Sequence, residues 1–168
     1  IGSTRQPEEQ YAYLATRDAG LAIVDTTQIA KPVLMSQLDL PGMASDVAID
    51  SQLGLAFVAT GSAGLQVVDI TNPGRPRSIR SINIPVQAVQ TFGGSVYAAS
   101  NSNLFLIDAA SLQILDTMSY TGGTIDDMAI SGGQLYFVLR NGSGAQTLRK
   151  IPLLDGTTLG ASTAELIL

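Results

Sequence analysis

The chain has 168 residues, with 14 acidic and 9 basic side chains, a net charge of −5, and no histidine, cysteine or tryptophan. Without imidazole or thiol groups, Ser-His-Asp triads, Cys-His dyads, zinc and iron–sulfur sites and disulfides are excluded. The acidic balance also lacks the basic footprint that nucleic acid demands. At 45% hydrophobic and 14% charged, the chain is too apolar for disorder, yet it holds no run of ~18 apolar residues that would span a bilayer.

Residues 1–10 are polar and lack the basic-then-apolar order of a secretory signal. From Tyr11 onward the chain repeats itself. Tyr11-Ala-Tyr-Leu-Ala-Thr-Arg-Asp-Ala-Gly-Leu-Ala-Ile-Val-Asp25 lies 44 residues before Leu55-Ala-Phe-Val-Ala-Thr-Gly-Ser-Ala-Gly-Leu-Gln-Val-Val-Asp69. A third copy runs from Ser95 to Asp108, and a weaker fourth from Gln134 to Arg140 and then Leu148 to Ile151. The aligned aromatics Tyr13, Phe57, Tyr97 and Tyr136 are spaced by 44, 40 and 39 residues. Short apolar runs precede the last three copies, at Asp46–Ile49, Gln87–Gln90 and Asp127–Ile130.

Each unit reads as strands. The runs are short, rich in Val, Ile, Leu and aromatics, and bounded by Gly, Asn, Ser or Asp; none carries a helical stripe. The second unit predicts an inner strand at Val47–Ile49, then Leu55–Thr60, Leu65–Ile70 and an outer strand at Arg77–Ile84. Four antiparallel strands per ~40–45 residues is the period of a propeller blade. The expected organisation is a polar segment 1–10 and an all-β propeller over 11–168, with four repeats at about 11–50, 51–90, 91–130 and 131–168. The first inner strand is missing, because residues 1–10 do not match Asp-Val-Ala-Ile. The closing Ala164-Glu-Leu-Ile-Leu168 would either supply it beside the first blade or begin a further blade.

Gly20-Leu-Ala-Ile-Val-Asp25 and Gly64-Leu-Gln-Val-Val-Asp69-Ile-Thr-Asn-Pro73 resemble the LVIVD repeat. The third copy lacks the leading glycine and the later prolines, and the fourth has Pro152 where Asp would stand. The resemblance implies a β-propeller, often exported or surface-attached, in a family that rarely comes with a defined activity. These repeats usually form larger rings, so the four copies are a closed ring, a module of a longer chain, or a half-ring.

Three groups of residues carry the functional reading. Asp25, Asp69 and Asp108 recur at strand ends, where a carboxylate accepts turn amides, and are read as structural. Asp46 and Asp127, with Asp126 beside them, fall near the mouth of the channel as a weak cation site; calcium is the ion that oxygen ligands would favour. The loops between second and third strands offer Arg17, Asp18, Ser62, Asn101, Arg140 and Asn141 for recognition. The fourth of these loops is the longest and the first candidate for contact. Arg75, Arg77 and Arg80 are read as charges guarding an edge strand, the repeated aromatics as packing residues, and Tyr120 as free of that series.

The expected function is a non-catalytic scaffold, extracellular, on the cell surface or periplasmic, that binds a protein or glycan and needs no cofactor. Two alternatives are a subunit of a surface polymer joined through open propeller edges, and a carboxylate- or calcium-dependent hydrolase at the channel mouth.

Overall fold

The computed structural model describes residues 10–153, 158–161 and 164–167. Among them the chain is all β. The first sheet holds β1 (Tyr11–Ala15), β2 (Leu21–Asp25) and β3 (Val33–Leu38). The second holds β4 (Asp46–Asp50), β5 (Leu55–Ala59), β6 (Leu65–Asp69) and β7 (Arg77–Ile82). β8 (Ala88–Phe92), β9 (Ser95–Ser100), β10 (Asn103–Asp108) and β11 (Ile114–Ser119) form the third. β12 (Gly123–Ser131), β13 (Gln134–Asn141), β14 (Gln146–Pro152) and β15 (Ala164–Ile167) form the fourth. Every sheet is antiparallel with its strands in chain order. The second, third and fourth sheets begin on their inner strands, while the first, with three strands among the described residues, begins on β1 in the register of β5, β9 and β13.

Register makes the internal repetition explicit. Phe57 pairs with Val67, Tyr97 with Leu106 and Tyr136 with Lys150. In the first three sheets the register shifts at one equivalent point, between Ile23/Val24, Val67/Val68 and Leu106/Ile107. A bulge there raises the local twist and bends the outer strand.

The final strand differs from expectation. Ala164–Ile167 neither completes the first sheet nor opens a new one: it pairs antiparallel with Thr147–Lys150 as the outer strand of the fourth sheet. That place satisfies the backbone edge that β14 would otherwise leave open. Leu168, also part of that expectation, lies outside the described residues, as do residues 1–9.

The sheets stack face to face, and the core lies between them. Leu21 and Ile23 of the first sheet meet Ala56, Val58 and Val68 of the second. Phe57, Leu65 and Val67 meet Val89, Val96, Ala98 and Ile107 of the third. Tyr97, Leu104 and Leu106 meet Ile125, Leu135, Phe137 and Ile151 of the fourth. Consecutive inner strands run side by side, β4 with β8 and β8 with β12. Among the described residues no comparable seam joins the first sheet to the fourth.

Gly64 ends the β5–β6 turn at φ +103°, and a Cβ there would lie 2.5 Å from the Ile82 carbonyl oxygen. Gly61 in the same turn has φ +62° with open space around it. Gly64→Ala is therefore expected to cost more than the ~1–3 kcal/mol of left-handed strain alone, and Gly61→Ala no more than that strain, by urea unfolding. Equal losses at both positions would show that the approach to β7 is not tight.

Candidate functional site

The turns β1–β2, β5–β6, β9–β10 and β13–β14 lie at one end of the sheets and form a loop face. Arg17, Gly61 and Asn101 occupy equivalent turn positions with φ of 54°, 62° and 44°. That left-handed geometry aims their backbone at the next sheet. Arg17 exchanges two hydrogen bonds with Ala44 at 3.0 Å each, and Gly61 does the same with Val86 at 2.8 and 3.0 Å. The Ile125 amide donates to the Asn101 carbonyl. Arg17 and Asn101, chosen from sequence as contacts, thus use their backbone to join sheets while their side chains stay exposed. Asp18 and Ser62 are exposed beside them.

The fourth loop is ordered by one side chain. Asn141 Oδ1 accepts from the Ser143 amide (3.0 Å), the Ser143 hydroxyl (2.7 Å) and the Ala145 amide (3.0 Å). Next to it, Arg140 donates through Nη2 to Asp126 Oδ1 at 2.8 Å, and its Nε stands 2.8 Å from Oδ2. Gln146 Nε2 donates to the same carboxylate at 3.4 Å. The guanidinium holds the Asp126 carboxyl below its ordinary range, and the carboxylate raises Arg140 in return. Fork-on-carboxylate geometry fixes both groups. They stand at a cleft of about 570 Å³ lined by Gly122–Thr124, Arg140–Gly142 and Gly144. A smaller hollow of about 180 Å³ lies at the opposite end, between the Asp50–Gln52 and Phe92–Gly94 turns.

The acidic mouth resolves into different roles. Asp46 Oδ1 accepts its neighbour Val47's amide at 2.9 Å, and Oδ2 accepts the Val89 amide of the third sheet at 2.8 Å. It is a staple across the seam. Burial pushes its carboxyl up, the two amides oppose that rise, and the charge of Asp127 adds to it. Asp127 has Asp46's register, opposite Val138 as Asp46 is opposite Ala59, and takes the Met128 amide at 2.8 Å. In the third sheet the matching residue is Ala88, opposite Ala99, not Gln87, with which the aligned run begins, and Val86 is spent on the bridge to Gly61. Asp126 belongs to Arg140. Among the described residues no group of three acidic side chains is placed to hold a metal ion.

Asp25, Asp69 and Asp108 accept the amides of Thr27 (2.8 Å), Thr71 (2.9 Å) and Ser111 (2.7 Å). The Thr27, Thr71 and Ser111 side-chain hydroxyls, and after them these amides, hold all three carboxyls below their ordinary range. Arg77 lies opposite Asp69 in register and, with Arg75 and Arg80, is exposed along the outer strand and its turn. Tyr120 is not the free aromatic that sequence suggested. It is 8% exposed, tilted against Phe137 at 5.1 Å, and bonded through its hydroxyl to Met118 Sδ.

Sequence reasoning missed the polar links between sheets. Gln87 donates to the Ile125 carbonyl at 2.7 Å and accepts from the Asn101 amide at 3.0 Å. The Ser45 hydroxyl donates to the Gln87 carbonyl at 2.9 Å, and the Thr91 hydroxyl to that of Ile49 at 2.8 Å. The residue before each inner strand's acidic position changes from Ser45 to Gln87 to Asp126, so self-comparison gives no signal there.

Asp46→Ala leaves the Val89 amide without its acceptor and is expected to cost about 1–3 kcal/mol in denaturant unfolding. A loss under a few tenths would remove the staple. Asp69 works through the solvent-facing turn, and its depressed carboxyl stabilises the fold at pH values above the ordinary carboxylate range. That contribution is lost as pH falls through the lowered value. Asp69→Ala is therefore expected to melt below the wild type at neutral pH, with the gap closing in acid. A gap that persists unchanged at low pH would contradict this.

Solved structures share the architecture. The computationally designed Ika8 protein aligns at a TM-score of 0.66 with 15% identity, covering 96% of this chain and 47% of its own. BamB from Moraxella catarrhalis gives 0.60 and 17%, covering 96% and 48%; Saccharomyces cerevisiae Sqt1 gives 0.70 and 8%, covering 96% and 45%. The chain thus spans about half the length of each. BamB and Sqt1 are β-propellers, and at these identities the likeness establishes the fold alone. No curated protein matches the chain. The family model for the LVIVD repeat matches residues 8–39 and 41–83, the stretch that folds into the first two sheets. The first two sheets thus carry the LVIVD repeat, and the chain has a β-propeller fold.

Proposed function

We propose that the chain is a non-catalytic interaction scaffold that binds a protein, or a glycan, through its loop face, with the cleft beside Arg140 as the contact. The observation that carries this reading is the Arg140–Asp126 pair at the cleft. Its two charges cancel, and Arg140 is 51% exposed with two of its five N–H donors committed. The others are aimed by a fixed fork and suit a peptide carbonyl or a sugar hydroxyl. Gly122, Gly123, Gly142 and Gly144 line the cleft around it without side chains. A preorganised site of this kind binds without the cost of ordering its side chains.

The same reading places the protein outside the cytoplasm, on the cell surface or in a periplasm, as a module of a larger protein. A chain with no cysteine has nothing to lose to an oxidising compartment. No metal is required: Asp126, the carboxylate nearest the cleft, is already matched by Arg140. Millimolar calcium is accordingly expected to leave the melting temperature unchanged, since an ion bound only by the folded state would raise it.

The test selects ligands from a glycan array and a displayed peptide library on the wild type, then measures them on Arg140→Ala. Affinity is expected to fall at least ~10-fold, about 1.4 kcal/mol, with the melting temperature held. Ligands that bind the variant equally well would place recognition elsewhere.

A further inference from the structure

The geometry points to a second copy of this chain as the occupant of the uncovered faces of the first and fourth sheets: two copies pair head to tail and close one ring. In each seam, one row of residues faces the following sheet and the next row faces the preceding one. Phe57 and Tyr97 belong to the first row and are 0% and 3% exposed, because a following sheet covers them. Tyr136 has the same register in the fourth sheet and is half-buried, with Val138 and Leu148 beside it. Leu65 and Leu104, in Leu148's register, are both fully buried.

The other end mirrors this. Val58, Ala98 and Phe137 face the preceding sheet and are 0%, 0% and 1% exposed. Their equivalent in the first sheet is Leu14, 47% exposed; Ala12 and Val24 share its face, and Leu34, opposite Val24, is 58% exposed. The chain therefore carries the two halves of one further seam, and they belong together by the same packing that joins its own sheets three times. Both halves are apolar apart from Lys150, in Val67's register, and Asp127, in the register of the seam residue Asp46, so the contact continues an established interface instead of requiring a new one. Each of the aligned propellers is about twice the span of this chain, so two copies supply the length of one. Head-to-tail contacts that close after two copies give a discrete pair; contacts that do not close give a filament.

Sedimentation velocity on the full chain at micromolar concentration tests this. The expected species has twice the 17.5 kDa chain mass. Val138→Glu on the fourth sheet and Leu14→Glu on the first are each expected to return it to single chains, with the far-ultraviolet dichroism of the wild type. Mixing the two variants leaves one sound seam of two and is expected to restore pairing in part. A single-chain wild type, a filament, or a pair that survives both substitutions would overturn the proposal. If either variant unfolds, Leu148→Lys and Leu34→Lys put the same question at the same faces.

Discussion

Every sheet in this molecule depends on the sheet beside it. A four-stranded antiparallel sheet of five-residue strands has two faces, and in this chain both are apolar. Val58 and Phe57 are successive residues pointing to opposite sides, and both are fully buried. Burying large apolar side chains is worth about 1.5–3 kcal/mol each, but that gain exists only while a neighbour is present. The unit of stability is therefore the seam, not the sheet. The polar residues follow the same constraint: Asp46, Gln87, Ser45 and Thr91 satisfy backbone groups of the adjacent sheet, where an unmet donor or acceptor would cancel part of the apolar gain.

Seen this way, the carboxylates of the inner strands divide by what faces them. Asp46 has a sheet in front of it and takes an amide from that sheet. Asp127 has the same register, but the side it faces is open. Asp126 is drawn away by Arg140 and fixes the rim of the cleft. Three acidic residues of the inner strands thus do three different things, and the pair of Asp126 with Arg140 is held still beside the cleft.

Much of the fold was legible because it is periodic. The aromatic row, the strand lengths and the Gly–Asp punctuation locate the strands of the second unit within two residues of where they lie. What was hidden is whatever breaks the period. β15 has no repeat signature, and its place on β14 follows from an edge that only the folded sheet presents. Tyr120 falls outside the aromatic row, yet the third and fourth sheets enclose it because the β11–β12 connection passes through their seam. The runs aligned by sequence set Gln87 at the acidic position, where hydrogen-bond register puts Ala88. The candidate site was legible only in part: Arg140 and Asn141 stood out through loop length, whereas the tie from Arg140 to Asp126 required the bulge between Ile125 and Asp127.

The claim that the seam is the unit of stability has a direct test in native-state hydrogen exchange, run dilute enough that chains are single. The second and third sheets are each held by two seams, and the first and fourth by one. The account predicts the slowest exchange in β5, β6, β9 and β10, with the end sheets opening at lower free energy. Equal protection across all four sheets, or an end sheet that outlasts the middle pair, would contradict it.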